Sequence, residues 1–325
     1  FKSSEFPLRV DLALTYECNN SCGHCYVARD KKFSQLDTEG IRAILDELWN
    51  VGVPHIALTG GEPTVREDFL EIVEYGQDKG FVMGVITNGR KFSDDKLIKD
   101  AIKRGLDYAQ ITLESHLEEV HDKMVGIKGA FKQTVQAIKN FEKKDLFFMT
   151  NTTLCQHNID TIEDTVRFLA ELNVKTFACN GLIYSGKGRE YEDGIAEEDL
   201  GPVLEKINYL ARKLDMKFIW YTPTQYCEFN PVEAGVGTKR CSAANISVAI
   251  EPNGDVLPCQ SYFESVGNIL EDDWEDLWHS KLFESIRKHD YIEPKCKDCE
   301  LLQVCGGGCP LYIDKKSHTC RIANF

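Results

Sequence analysis

CNNSCGHCY (18–26) places three cysteines, Cys18, Cys22 and Cys25, on one short segment directly after the apolar run RVDLALT (9–15). Three thiolates are one short of a closed tetrahedral metal site. At such small gaps they can wrap one face of a four-iron cube and leave one iron open, and an open coordination position is where a metal centre takes a substrate or cofactor. The competing reading is a zinc ion with a remote fourth ligand. His24 is poorly placed for that role, because it lies between two of the cysteines.

Outward from this segment the chain alternates strand-like and helix-like stretches at the spacing of βα units. RVDLALT (9–15), HIALT (55–59), FVMGVITNG (81–89), YAQITLES (108–115), LFFMTNTTL (146–154) and VKTFACNGL (174–182) read as six strands. Between them fall helices through GIRAILDELWNVG, capped by Asp37 or Thr38 and ended by Gly52, and over 67–79, 94–104, 130–144 and 161–173. Six such steps with right-handed crossovers build a parallel sheet or a partial barrel, with the active site at the C-terminal strand ends. The cysteine loop, GGEP, TNG, ES and NGL all fall at those ends. Beyond them come a Gly-rich charged loop (184–194), a helix (198–214), a strand MKFIWY (216–221), a hairpin ISVAIEPNGDVLPC (246–259) turning at Asn253-Gly254, and a helix (274–288). The expected division is 1–190, a bridging region 191–239, and a small cysteine-rich α+β unit 240–325.

The net charge of −14 argues against a nucleic-acid binder, which needs a basic face for phosphates. No run of 18 apolar residues offers a membrane span, and FKSSEFPLRVDL (1–12) has no signal-peptide pattern, so a cytoplasmic location is expected. Thirteen cysteines bunch at 18–25 and 241–320, with Cys155, Cys179 and Cys227 apart. Clustered Cys-x-x-Cys spacing in a large mixed chain points to metal rather than a disulfide scaffold.

LTGGEPTVRED (58–68) is the second unusual feature. Gly60 and Gly61 let backbone approach a ligand closely, Glu62 offers a carboxylate to a cationic group, and Pro63 stiffens the exit. Cys-x3-Cys-x2-Cys-Tyr after the first strand, with Gly-Gly-Glu-Pro after the second, resembles the radical SAM superfamily. The resemblance implies a partial (β/α)6 TIM-like barrel. It implies a [4Fe–4S] cluster on Cys18, Cys22 and Cys25 whose open iron binds S-adenosylmethionine (SAM). It places Gly60, Gly61 and Glu62 at the methionine ammonium, and implies reductive cleavage of SAM to a 5′-deoxyadenosyl radical that takes hydrogen from a substrate. By the same resemblance Tyr26, Pro63, Asn88, Thr112, Glu114, Asn151 and Asn180 meet the cofactor. Thr112 and Glu114 of ITLES (111–115) stand where the family often has Ser-x-Asp-Gly. HDKMVGIKGAF (121–131) is similar to His-Asp-x-x-Arg-Gly, with Val125 in place of the arginine.

At the other end, Cys241, Cys259, Cys296, Cys299, Cys305, Cys309 and Cys320 follow an order that resembles the SPASM domain, which typically holds two auxiliary [4Fe–4S] clusters. The resemblance assigns Cys241, Cys259 and Cys309 to the first and Cys296, Cys299, Cys305 and Cys320 to the second. Two zinc ribbons are the alternative. Some relatives have a further cysteine shortly after the first, and 242–258 has none. The first set then closes with Cys227, with another ligand, or not at all. Sulfatase-maturing relatives carry an Asp where this chain has Gln260, which argues against that activity.

The resemblance implies an enzyme that most often matures peptides by crosslinking or epimerisation. A small-molecule substrate such as a tetrapyrrole is the alternative, and a non-catalytic iron–sulfur or zinc electron-transfer module is the alternative of another class. An electron donor such as flavodoxin or ferredoxin is expected. No peptide-recognition domain precedes residue 9, so a separate leader-peptide-binding protein is a further expected partner. Cys155 and Cys179, near strand ends, are candidates for hydrogen donation to a substrate radical, and Trp220, Tyr221 and Tyr226 for lining a cleft.

Overall fold

The computed structural model describes residues 6–27, 34–292 and 294–312; Cys320 lies outside them. The strands are β1 (Arg9–Thr15), β2 (His55–Gly60), β3 (Val82–Thr87), β4 (Tyr108–Thr112), β5 (Phe147–Leu154), β6 (Thr176–Gly181), β7 (Lys217–Trp220), β8 (Ser247–Ile250) and β9 (Val256–Leu257). They form one sheet in the order β7-β6-β5-β4-β3-β2-β1-β8-β9. Every neighbouring pair is parallel except β8–β9. β1 to β7 stand in sequence order, and parallel strands so ordered take right-handed crossovers that put their helices on one face and curl the sheet into part of a barrel.

The helices are α1 (Thr38–Val51), α2 (Phe69–Lys79), α3 (Asp95–Lys103), α4 (Glu118–Val125), α5 (Ala130–Glu142), α6 (Ile162–Glu171), α7 (Glu197–Lys213), α8 (Trp274–Trp278), α9 (Lys281–Lys288) and the single turn α10 (Leu302–Cys305). α1 shows why they form. Asp37 caps it by accepting from Gly40 N at 2.9 Å, and Ile41, Ile44, Leu45 and Leu48 repeat at helical spacing and are buried. They meet Val10, Leu12 and Leu14, which are fully buried on the outer side of β1. Arg9, Asp11 and Ala13 alternate to the inner side. Around the helical layer Phe92 packs edge-on to both Phe69 and Phe141.

Three departures from the sequence expectation matter. β7 and β8, from beyond residue 190, extend the barrel sheet itself: β7 pairs with β6, and β8 pairs with β1 from Arg9↔Ser247 to Leu12↔Ile250. The open edge of β1 thereby finds partners for its backbone groups. The helix expected over 274–288 is two, because Ser280 adopts extended backbone (ψ 151) between them. The segment read as HDKMVGIKGAF contains the end of α4, whose His121, Met124 and Val125 are buried. The hairpin is as expected, with β8 and β9 joined through Asn253-Gly254.

Candidate active site

The cysteine loop leaves β1 across the C-terminal ends of the neighbouring strands and is held from three sides. Ser21 N and Gly23 N donate to the carbonyls of Val125 and Met124, at 2.9 and 3.2 Å, so the end of α4 anchors the loop through backbone where the family pattern would offer an arginine. Asn88 Nδ2 donates to Asn19 Oδ1 at 2.6 Å and lies 3.9 Å from Cys18 Sγ. Arg90 Nη1 donates to the Asn19 carbonyl and, at 3.0 Å, to Asn20 Oδ1. Asn20 N donates to Cys18 Sγ at 3.3 Å, a contact that favours thiolate. His24 turns away from the cysteines: its Nε2 lies 2.9 Å from Glu114 Oε1.

GGEP closes on the same loop. Gly61 N donates to Thr15 O at 2.7 Å and Glu62 N to Glu17 O at 2.8 Å. A Cβ at Gly60 would lie 2.2 Å from Thr15 O, and one at Gly61 2.2 Å from Glu17 O, so both glycines are required by the approach of the two backbones. Glu62 is buried. Its Oε1 accepts from Thr64 and Thr87 hydroxyls at 2.5 and 2.7 Å, and its Oε2 from Asn88 N at 2.8 Å. Burial raises its pKa and these donors pull it back. Oε2, with one such donor, keeps acceptor capacity.

Further round the barrel, Thr112 stands in register with Asn151, and Asn151 Nδ2 donates to Asn180 Oδ1 at 2.7 Å. Asn151 Oδ1 is buried with no protein donor. Glu114 is fully buried, with Oε2 accepting from Thr153 N at 2.8 Å. Its carboxylate therefore faces the cysteine loop and β5. Cys155 and Cys179 are also fully buried, Cys179 within the main core, and both lie near enough to Glu114 to feel its charge. Trp220 is core as well. Tyr221 lines the lumen, its hydroxyl 3.2 Å from Gln110 Oε1, with Lys239 over its ring and Arg9 paired to Asp11 at 2.7 Å.

Tyr26 joins the two halves. It packs with Cys25 and Phe263 against Ala13, Tyr16 and Val27, and its hydroxyl donates to Gln260 Oε1 at 2.9 Å. Tyr26, Ala13, Tyr16, Val27 and Gln260 wall a small cavity between β1, β2 and β8, reaching Asp11 and Glu251. Tyr16 closes one side by donating to Glu251 at 2.7 Å.

The C-terminal cysteines fall into two sets. Cys241, Cys259 and Cys309 are electrostatic neighbours: Cys241 acts on both others, and Cys259 on Cys309. Burial is the main cause of their raised pKa values, with Cys259 pushed up to about 12. Such thiols ionise only with a cationic partner, as metal ligands do. Cys296, Cys299 and Cys305 line a separate cavity. Gly306, Gly307 and Gly308 connect the sets with three successive left-handed residues (φ 65, 80 and 82), a path open only to glycine. Tyr291 sits at this junction and donates to Gly306 O at 2.8 Å. Cys227 lines the cavity of the second set.

The donor chemistry fits iron–sulfur clusters and a polar cofactor: grouped thiols, a sulfur-directed amide at Cys18, and the undonated Asn151 oxygen at the strand ends. Among the described residues no three His, Cys, Asp or Glu side chains are gathered closely enough to hold a single metal ion. Thiolates on a cube face one another across it and stand further apart than ligands of one ion. Sequence reading missed His24–Glu114, Arg90 and Tyr291. The only local signal was the charged or aromatic residue beside a motif.

The radical SAM superfamily model matches residues 12–169, and an iron–sulfur cluster-binding domain model, SPASM, matches 241–300. The chain is 27% identical over 318 residues to the AdoMet-dependent heme synthase of Methanosarcina barkeri, covering 93% of this chain and 90% of that protein. It is 29% identical to the mycofactocin maturase MftC of Mycolicibacterium smegmatis, covering 93% and 78%. Its fold is that of Streptococcus suis SuiB bound to the precursor peptide SuiA, with a TM-score of 0.80 at 19% identity, covering 99% of this chain and 77% of that one.

Proposed function

The chain belongs to the radical SAM superfamily and carries a C-terminal SPASM iron–sulfur domain, and from that membership we propose that it abstracts hydrogen from a peptide substrate held in the barrel lumen. The observation that carries the site assignment is the pinning of GGEP to the exit of β1. It sets the glycine backbone beside the three-cysteine loop, so that one ligand can touch both.

Cys18, Cys22 and Cys25 hold the cluster, and two further clusters sit on the C-terminal cysteine sets. Bound there, cluster and SAM supply reductive cleavage to a 5′-deoxyadenosyl radical. Backbone at Gly60 and Gly61, with Glu62 Oε2, receives the ammonium. The unfilled acceptor of Asn151 and the neighbouring Asn180 and Thr112 receive polar groups of the nucleoside. Pro63 and Asn88 fix the loops that carry these groups. Glu114 acts through His24 and positions the cysteine loop. Tyr26 and Val27 keep water from the wall between the cluster loop and the lumen.

A PqqA peptide cyclase and a bacteriocin biosynthesis protein among the relatives, and the SuiB–SuiA fold, support a peptide substrate. A tetrapyrrole is the second reading. It is favoured by the 90% coverage of the heme synthase, against 78% of MftC. No helix among the described residues is long and apolar enough to cross a membrane. Anaerobically reconstituted protein given dithionite and SAM should release 5′-deoxyadenosine. No product, with zinc as the only bound metal, overturns the proposal. Faster release with an iron porphyrin than with candidate precursor peptides selects the second reading.

A further inference from the structure

We propose that Cys227 is a thiolate ligand of the second auxiliary cluster, beside Cys296, Cys299 and Cys305. The inference rests on the reading of the C-terminal cysteines as cluster ligands.

Four cysteines line one cavity, Cys227, Cys296, Cys299 and Cys305, with Leu301 and Leu302 among the apolar walls. Cys227 also packs in the same small cluster as Cys296, with Ile292 and Leu302. No lining side chain among the described residues is a carboxylate or imidazole, so sulfur is the ligand chemistry of the cavity.

The backbone delivers Cys227 there by a fixed route. Gln225 N donates to Glu197 Oε2 at 2.8 Å, and Gln225 O accepts from Glu228 N and Phe229 N at 2.8 and 2.9 Å. Tyr226 N donates to Cys305 Sγ at 3.4 Å, so the residue preceding Cys227 already contacts a sulfur of the set and favours its thiolate form. The turn at 225–229 thus aims position 227 into the cavity.

The sequence expectation gave Cys320 to this set and offered Cys227 to Cys241, Cys259 and Cys309. Among the described residues four cysteines line the second cavity, and Cys320 lies outside those residues.

The test uses the full chain with Cys18, Cys22 and Cys25 changed to Ala, reconstituted anaerobically, so that only auxiliary clusters contribute. Iron and sulfide are counted and EPR spectra of the reduced protein recorded. In that background Cys227→Ala should lose about four irons and four sulfides, together with the signal lost in Cys296→Ala/Cys299→Ala. Cys227→Ser keeps the shape and offers an oxygen ligand, so it should retain iron with shifted g values, which guards against a folding defect in the alanine variant. Full iron and unchanged spectra in both variants overturn the inference. So does loss in Cys227→Ala of the signal that disappears in Cys241→Ala. Release of 5′-deoxyadenosine by the unmodified protein reports separately on the catalytic reading. A background protein that binds no iron–sulfur at all removes the C-terminal cluster reading and this inference together.

Discussion

His24 and Glu114, ninety positions apart, meet at 2.9 Å in a buried pair that ties the cysteine loop to the end of β4. Glu114 Oε2 is held by Thr153 N, so the same carboxylate also reaches β5. Glutamine at 114 has one acceptor oxygen for two donors and turns an NH2 group on one of them. Glu114→Gln should therefore destabilise the apo chain by about 1–3 kcal/mol, seen as a lower urea midpoint at unchanged slope. An unchanged midpoint would remove the pair from the account of the loop.

Gly61 tests the second motif. Its absent Cβ would stand 2.2 Å from Glu17 O, a backbone atom that cannot swing aside. Gly61→Ala should cost about 1–3 kcal/mol through overpacking and weaken SAM binding about tenfold, equal to about 1.4 kcal/mol. Equilibrium dialysis on reconstituted protein gives the affinity. Wild-type binding would show that GGEP does not need its contact with β1.

The parts legible in the sequence are those whose partners are close along the chain. Cys18, Cys22 and Cys25 share one loop, Asp37 caps its own helix, and Asn253-Gly254 turns its own hairpin. The rest depends on tertiary routing. Nothing near 247–250 says that β8 will pair with β1. Arg90 reads as a surface charge until the fold brings Asn19 to it. Cys227 has no spacing relation to Cys296 or Cys305, and only the fold brings it to their cavity.

Asn151 carries a buried oxygen with no protein donor. With a nucleoside group of SAM donating to it, Asn151→Ala should weaken SAM binding about tenfold, about 1.4 kcal/mol, and weaken 5′-deoxyadenosine binding in parallel. Titration calorimetry measures both. Equal SAM affinity in both proteins would move the cofactor away from β5.

Cys155 gives a pH-dependent outcome. Burial pushes its thiol up to about 11, against about 8.5 in an unfolded chain. The unfolded state loses its proton first, so the stabilising contribution is complete below about pH 8.5. It is lost as pH rises towards about 11. Iodoacetamide at pH 8 should leave Cys155 and the equally buried Cys179 unmodified in the folded chain and label both in urea, as mass mapping reads. Labelling of Cys155 without urea would contradict its burial.

Arg90 holds the cysteine loop from the β3 side. Its Nη1 donates to Asn19 O and Asn20 Oδ1, and its Nε to Gln133 Oε1 at 2.6 Å, so one planar group spans the loop and α5. Lysine keeps the charge but offers a point donor that cannot serve these acceptors at once. The lost contacts are worth about 1.4 kcal/mol, a factor of ten in the opening equilibrium of the loop. Arg90→Lys should therefore bind the N-terminal cluster with normal stoichiometry but lose its iron to a chelator about ten times faster. Absorbance near the cluster's visible band, followed in the presence of excess EDTA, gives the rate. A rate equal to wild type would mean that α4, Asn88 and His24 hold the loop without Arg90.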